Sequence, residues 1–285
     1  MLDDVINNAN SNSYNKEEWK KKKQEQLQNA YNMIEEATEE LKNDSSFFKS
    51  YLDVQSRFDK YTVRNALLLT KQLPNATQLK DYNGWKEAKV NFKTRYPKRV
   101  VILEPGEAYT NKEGKKVTPI YSKEVIDISE TNLKPNSRTY DKKLILQSLL
   151  HNAPADIKAV DSLEDGKMCN WDKDNNVIYV CRSEDYNLVI SSVAKELANI
   201  NLYENTNNYD QVQAECISYM ICKKYGIDVD LENIDNLSLR FSNMESKDIK
   251  DELSNMKNVF EDINNNIGQY LDEKLKDTKK KDMER

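Results

Sequence analysis

The sequence has little histidine, glycine or proline and no long hydrophobic run. Of its 285 residues, one is histidine (His151), six are glycine and six are proline. A single imidazole among scattered acids cannot supply the nitrogen and sulfur ligands of a tetrahedral zinc site. Apolar stretches such as residues 66–69 and 100–103 fall far short of the ~18 residues that a membrane span requires. We therefore expect neither a transmembrane helix nor a membrane partner.

Cysteine is also scarce, and its spacing is uninformative for metal binding. Cys169, Cys181, Cys216 and Cys222 show no Cys-x-x-Cys pattern, so no thiolate zinc site is indicated. Cys169 and Cys181 could face each other across a hairpin, but buried free thiols in a reducing compartment are the favoured interpretation. The first residues lack the basic start and apolar run of a signal peptide. These features predict a cytoplasmic protein.

Positive charge is concentrated in one segment of an acidic chain. The net charge is −5, yet residues 60–123 contain 14 Lys/Arg and five Asp/Glu, a net of +9 that leaves −14 for the remainder. Such segregation is typical of proteins that bind a polyanion. A second basic run, residues 20–23, is interpreted as a solvated helix face, with a phosphate contact as the alternative.

Hydrophobic spacing and capping residues predict an α+β protein. We expect N-terminal helices with a small antiparallel sheet, then a mixed domain and a helical C-terminus. The predicted helices cover 16–43, a segment capped by Asp44, then 63–72, 144–150, 185–201, 209–225 and about 230–271. The predicted strands cover 100–103, 117–121, 125–128, 168–171 and 177–181. Residues 1–15 are expected to fray, and Gly114 and Gly226 are expected at a hairpin turn and a helix end.

Residues 193–199 read Val-Ala-Lys-Glu-Leu-Ala-Asn and resemble a zincin helix without its ligands. The His-Glu-x-x-His motif of zincins places two imidazoles on one helix face, where they bind zinc. Here Lys195 and Asn199 occupy the histidine positions, and Glu196 occupies that of the glutamate. Ala214-Glu215 resembles the pair that supplies a third ligand from the following helix. The resemblance implies a peptidase scaffold with a degenerate site, no metal and no catalytic residue.

Five separated blocks in the first half resemble ArdC-type antirestriction proteins of plasmids and conjugative elements. These blocks are residues 58–69, 72–77, 82–85, 101–105 and 125–131. They fall in the single-stranded-DNA-binding domain of that family, which matches about residues 45–131. The zincin-like half resembles residues 145–225, and 238–267 fits its closing helices more weakly. The chain departs from the family pattern at 91–99, which is more basic, at Glu130 in place of glutamine, and at the two zinc histidines.

The resemblance implies a cytoplasmic bacterial protein of a mobile element that binds single-stranded DNA without sequence specificity and protects or transfers DNA. Its expected partners are single-stranded DNA and, further, a host nuclease or a conjugation protein; no cofactor is expected. The implied domains are an N-terminal helical extension (1–44), a DNA-binding domain (45–131), a linker (132–144), a zincin-like pseudo-peptidase domain (145–270) and a charged tail (271–285).

The densest cations and the aromatic residues among them are the candidate DNA contacts. Stacked bases and neutralised phosphates hold single strands to proteins. Trp85 and Tyr61 are interpreted as core residues instead. The candidates are Arg64, Lys86, Lys89, Phe92, Lys93, Arg95, Tyr96, Lys98, Arg99 and Tyr109.

Lys195 has several interpretations. We expect its ammonium to replace the lost metal charge and to pair with Glu215 at less than about 6 Å; surface exposure and a role as catalytic base are the alternatives. The whole protein could also be an adaptor or nuclease inhibitor that uses the inactive cleft or the acidic surface. An active peptidase with an unconventional site is the third hypothesis.

Overall fold

The protein consists of capped helices and small β-sheets. Its structure is a computed structural model. It describes residues 2–135, 139–151, 153–231 and 238–283. In chain order the elements are α1 (Leu2–Asn43), α2 (Ser45–Arg57), α3 (Val63–Gln72), β1 (Leu79–Lys80), α4 (Tyr82–Glu87), β2 (Val100–Pro105), β3 (Tyr109–Thr110), β4 (Lys116–Val117), β5 (Ile120–Asp127), α5 (Lys142–Leu150), β6 (Asp156–Val160), β7 (Cys169–Asp172), β8 (Val177–Cys181), α6 (Tyr186–Thr206), α7 (Gln211–Lys224) and α8 (Ser246–Met283). The predicted α+β class is confirmed.

The chain folds into two units that are discontinuous in sequence. One contains Met1–Glu40 and Leu67–Pro135, and the other contains Leu41–Ala66 and Asn136–Arg285. From the sequence we expected residues 45–66 to form one domain with residues 67–131. In the structure, α2 belongs to the second unit, where it packs against α7. Polar contacts reinforce that packing: Tyr219 Oη donates to Asp53 Oδ1 at 2.8 Å. Residues 136–138 of the predicted linker (132–144) lie outside the described residues. Helix α5 begins within the predicted linker, at Lys142.

The first unit is built on an antiparallel sheet with β5 between β1 and β2. Strand β5 is continuous where the sequence predicted two separate strands, 117–121 and 125–128. Trp85 of α4 is buried against Ile126 and Ile128, and its indole N–H donates to the carbonyl of Ile126 at 2.9 Å. This contact confirms Trp85 as a core residue. Gly114 forms the predicted turn between β3 and β4 with φ +77°.

Helix α1 buries apolar residues of its C-terminal half and leaves Trp19 exposed. Ile34, Ala37 and Leu41 are buried, whereas Trp19 is 60% exposed. The helix also begins at Leu2, before the predicted start at Lys16. Burial of the C-terminal half follows from its apolar residues at helical spacing, which the polar residues 16–26 lack.

The second unit contains a three-stranded mixed sheet covered by helices. Strand β8 pairs antiparallel with β7, as the sequence predicted, and parallel with β6. Strand β6 was missed, because a parallel partner joins through a crossover rather than a recognisable tight turn. The strand order β6-β8-β7 leaves β7 at one edge of this sheet.

Helices α6 and α7 have well-defined ends. The side chain of Asp185 caps α6, and that of Asp210 caps α7. Gly226 follows α7 with φ +71°, the left-handed conformation predicted for it. Arg240 forms ion pairs with Asp210 and with Glu252 of α8, and these pairs fix the start of α7.

Helix α8 differs from its predicted limits, since it begins at Ser246 and extends to Met283. In the described part of the chain, we find no helix with the length and apolar character needed to cross a membrane.

Candidate functional site

Residues 193–199, whose sequence resembles a zincin motif, lie on α6, which packs against α7. Lys195 Nζ lies 3.5 Å from Glu215 Oε2, with about a third of each side chain exposed. The predicted Lys195–Glu215 pair is therefore confirmed, and full surface exposure of Lys195 is not observed. Because both charges remain partly hydrated, the pair contributes at most about 1 kcal/mol.

Glu196 connects α6 to the edge strand β7. Its carboxylate accepts a hydrogen bond from the backbone N–H of Trp171 and one from Asn199 Nδ2 at 3.3 Å. Burial raises the pKa of Glu196 above its ordinary value, and the hydrogen bonds from Asn199 and Trp171, with the charge of Lys195, oppose that rise. These hydrogen bonds link Glu196 to β7 and to Asn199 within α6.

Asn199 is buried at the centre of the site. It is 1% exposed, and its Oδ1 atom has no hydrogen-bond partner among the described residues. An orphaned buried acceptor costs free energy, because it gives up water without replacement. The amide therefore offers an acceptor to any group that enters beside it.

Two open cavities meet at Lys195. The larger, about 670 Å³, lies beside β7 and is lined by Lys167, Met168, Cys169, Asn170, Trp171, Ser192, Lys195, Glu196, Asn199, Tyr209 and Gln211. The other, about 400 Å³, lies between the start of α6 and residues 228–231, and Glu215 and Tyr219 also line it. Trp171 and Tyr209, whose ring centroids are 5.9 Å apart, give the larger cavity an aromatic wall.

These residues do not fit a zinc ion. Among the described residues, no group of three or more His, Cys, Asp or Glu side chains is placed to hold a metal. A protonated lysine has no lone pair to donate, and its positive charge repels a cation. His151, at the end of α5, packs against Tyr270 with ring centroids 4.8 Å apart, and lines neither of the two cavities at Lys195.

The candidate DNA contacts of the first unit cluster on α4 and on the segment that follows it. Residues 86–99 contain six cations and one acid, and all six cations are exposed. Lys89 has φ +56°, a left-handed conformation that ordinarily favours glycine. Lys93 Nζ donates to the carbonyl of Ser129 at 2.8 Å, which fixes the middle of the segment to the turn after β5.

Some of the cations between residues 60 and 123 form ion pairs. Arg99 lies 2.6 Å from Glu124, and Lys123 lies 3.0 Å from Glu104 and 3.3 Å from Asp81. The Arg99 guanidinium lowers the pKa of the Glu124 carboxyl. Since a paired cation must be separated from its carboxylate before it contacts a phosphate, Arg99 is a weaker candidate than the sequence indicated.

The candidate aromatic residues differ in exposure. Tyr96 is 81% exposed with the guanidinium of Arg95 5.4 Å from its ring, and Tyr109 is 53% exposed. Phe92 is partly buried against the Trp85 core and stacks on Tyr82, at a centroid distance of 5.3 Å and an interplanar angle of 11°. Tyr82, which is 40% exposed with Lys86 4.9 Å from its ring, presents the outer face of this stack. The sequence left Tyr82 between a stacking residue and a core residue, and its exposure favours a stacking residue.

One further sequence candidate and one predicted core residue lie in the second unit. Arg64, at the start of α3, is exposed and belongs to this unit, whereas residues 86–99 belong to the first. Tyr61 is half-buried, with its ring 5.1 Å from that of Phe58, which agrees with its interpretation as a packing residue. The four cysteines are buried and free.

Comparisons with known proteins identify one fold. No protein-family model and no curated protein matches the sequence. Two solved structures of the antirestriction protein ArdC from plasmid R388 match with probability 1.00. The Mn(II)-bound structure has a TM-score of 0.56 at 12% identity and covers 82% of this chain and 98% of its own. The metal-free structure has a TM-score of 0.50 at 14% identity, covering 73% and 86%. The resemblance inferred from sequence is thus confirmed as a likeness of structure, and the chain has the ArdC fold.

Proposed function

We propose that the protein is an antirestriction protein of a mobile element that binds single-stranded DNA through the basic surface of its first unit. The observation that carries the proposal is the exposed cluster of cations at 86–99, interleaved with the exposed rings of Tyr82 and Tyr96. Non-specific binding of a single strand requires cations along the phosphate backbone and aromatic rings on which the bases stack. The ArdC fold adds the antirestriction role, since both matched structures are of an antirestriction protein.

The proposed binding is electrostatic and insensitive to sequence. Lys89, Lys93, Arg95 and Lys98 contact successive phosphates, and bases stack on Tyr96 and on the Tyr82–Phe92 pair. Each phosphate contact releases counterions, so log K falls with log[salt] by about 0.7 for each contact to a single strand. The second unit contributes no peptide hydrolysis, because Lys195 and Asn199 provide no imidazole for a metal and no activated water forms.

Fluorescence anisotropy with a labelled oligothymidylate, titrated across a salt series, tests the proposal. We expect the triple variant Lys93→Ala/Arg95→Ala/Lys98→Ala to bind more weakly and to reduce the salt slope by about 2. The matched control, Lys142→Ala/Lys143→Ala/Lys158→Ala, removes three exposed lysines from the second unit and leaves both quantities unchanged. Equal losses in the two variants, or no binding by the native protein, would contradict the proposal.

A second candidate function is an adaptor that holds a protein partner in the inactive cleft. The 670 Å³ cavity beside edge strand β7, with its orphaned Asn199 acceptor, favours this candidate. An extended peptide at a sheet edge gains main-chain hydrogen bonds. Analytical ultracentrifugation with a purified restriction endonuclease tests it: complex formation that Tyr209→Ala weakens, without oligothymidylate binding, favours the adaptor over the DNA-binding function.

A further inference from the structure

An apolar groove with two exposed aromatic rings lies in the first unit, between α1 and β5. Its volume is about 430 Å³, and Trp19 and Tyr121 are 60% and 58% exposed. The lining residues on α1 are Trp19, Lys20, Lys23, Gln24 and Leu27, and those on the sheet side are Ile120, Tyr121 and Ser122. None of these residues belongs to the basic cluster at 86–99.

The walls of the groove are held together by a polar contact next to it. Gln26 of α1 donates through Nε2 to Glu124 Oε1 at 3.0 Å and accepts from Ser122 Oγ through Oε1 at 2.9 Å. Both partners belong to β5, close to 100 positions away in the chain. The distance between the helix and the strand is therefore fixed before any ligand arrives.

Tyr121 is positioned by a close approach to Gly106. A Cβ atom at Gly106 would lie 2.3 Å from Cε2 of Tyr121, so only glycine leaves room for the ring in this position. The N–H of Gly106 donates to the carbonyl of Pro119 at 2.8 Å, which holds this backbone beside β5. A ring that is already fixed loses little conformational entropy when it stacks on a ligand.

The groove combines apolar walls with cations. Lys20 and Lys23 line it, and Lys21 and Lys22 are exposed between them in sequence. Lys23 Nζ donates one hydrogen bond to Gln26 Oε1 at 3.0 Å and keeps further donors for an anion. A ligand that matches both properties has a flat apolar face next to a negative charge, and an unpaired nucleotide has both.

We propose that this groove holds an unpaired base of single-stranded DNA against Trp19 and Tyr121, with Lys20 and Lys23 on the adjacent phosphates. The inference rests on the proposed single-strand binding and adds a second contact region to it. The lysine run at 20–23 then acts on the ligand and is more than a solvated helix face.

Two oligonucleotides of equal length and charge separate base contacts from phosphate contacts: an oligothymidylate and its fully abasic analogue. Measured by anisotropy, Trp19→Ala is expected to weaken oligothymidylate binding about five- to a hundredfold and to leave the abasic affinity unchanged. Trp19→Phe keeps an aromatic face and restores most of the affinity. Gly106→Ala, which displaces the Tyr121 ring, reproduces the base-specific loss, and Tyr186→Ala on α6 serves as an exposed aromatic control.

Each other outcome overturns the inference in a recognisable way. If the native protein binds both oligonucleotides and Trp19→Ala changes neither, the groove holds no base and the proposed function stands. Equal losses for both oligonucleotides indicate a phosphate or folding effect. A change in oligomeric state at unchanged DNA affinity assigns the groove to a second copy of the chain. If the native protein binds neither oligonucleotide, the proposed function and the inference fail together.

Discussion

Lys195 Nζ on α6 lies 3.5 Å from Glu215 Oε2 on α7. In the zincin pattern that this segment resembles, the first position belongs to a metal-binding histidine and the second to a metal-binding acid. The ammonium of Lys195 therefore supplies the positive charge that a bound metal ion supplies in the zincin pattern. Glu215 keeps an acid at the position where that pattern has one.

Restoring the two imidazoles should restore a metal site. In Lys195→His/Asn199→His, side chains four residues apart face the same way, with Glu215 available as a third ligand. The cavity of about 670 Å³ beside Asn199 gives the larger ring room. We expect the double variant to retain about one zinc ion after dialysis, and metal analysis measures it.

The single variant Lys195→His is the control for this experiment, because one imidazole and one carboxylate hold zinc weakly. Stoichiometric zinc in the native protein would show that the site is not degenerate. Absence of zinc from a correctly folded double variant would show that α6 and α7 do not have zincin geometry.

Glu196 should make stability depend on pH. Its pKa is higher in the folded chain than its ordinary value of 4.5, so the folded state binds the proton more tightly. Stability is therefore lost as pH rises from about 4.5 through the folded pKa. Glu196→Gln removes the buried charge, and its amide can donate to the orphaned Oδ1 of Asn199. We expect the variant to be more stable than the native chain at pH 7, with the difference shrinking below pH 4.5.

Urea unfolding at pH 7 and below pH 4.5 measures the difference in stability between the variant and the native chain. Glu184→Gln, an exposed carboxyl just before α6, is the matched control and should show a smaller change. A stability difference that is the same at both pH values would count against burial as the cause.

Replacing Lys89 should affect the stability of the protein and its DNA binding differently. A lysine with φ +56° is strained by roughly 1–2 kcal/mol relative to glycine, which adopts this conformation freely. We expect Lys89→Gly to leave the melting temperature unchanged or raised while it weakens oligothymidylate binding. Calorimetry and anisotropy measure the two effects. A lower melting temperature would mean that the side chain stabilises the fold.

Arg95 and Arg99 form a matched pair four residues apart. Arg99 is bound to Glu124, whereas the guanidinium of Arg95 lies against the exposed ring of Tyr96. Freeing Arg99 for a phosphate costs its ion pair, so Arg95→Gln should reduce DNA affinity more than Arg99→Gln. The reverse order would indicate that Glu124 gives up its partner when DNA binds.

Local signals predicted much of the second unit. Asp185 before an apolar helix, Gly226 after another, and the polar residues 172–176 between two apolar runs are signals that act within a few residues. The cap of α6, the end of α7 and the β7–β8 hairpin could therefore be predicted directly. The Lys195–Glu215 pair was predicted only because the family resemblance put α6 against α7.

Contacts between distant residues were not predictable from the same signals. Phe92 stands between Asn91 and Lys93 in a charged segment, and only the fold reveals that it packs beside Trp85. The pairing of Arg99 with Glu124 depends on the register of β2 and β5. The assignment of 45–66 to the second unit follows from packing against α7, which no local pattern in α2 encodes.

The burial of every thiol has a practical consequence. Cys169, Cys181, Cys216 and Cys222 are all buried, and desolvation raises the pKa of Cys169 and of Cys222 to about 12. At neutral pH Cys169 and Cys222 carry almost no thiolate, the form that reacts with maleimides, and burial shields all four thiols from the reagent. A cysteine introduced at an exposed position such as Thr94 can then be labelled with a dye in the otherwise native chain. Spectroscopic distance measurements therefore require no prior removal of the natural cysteines.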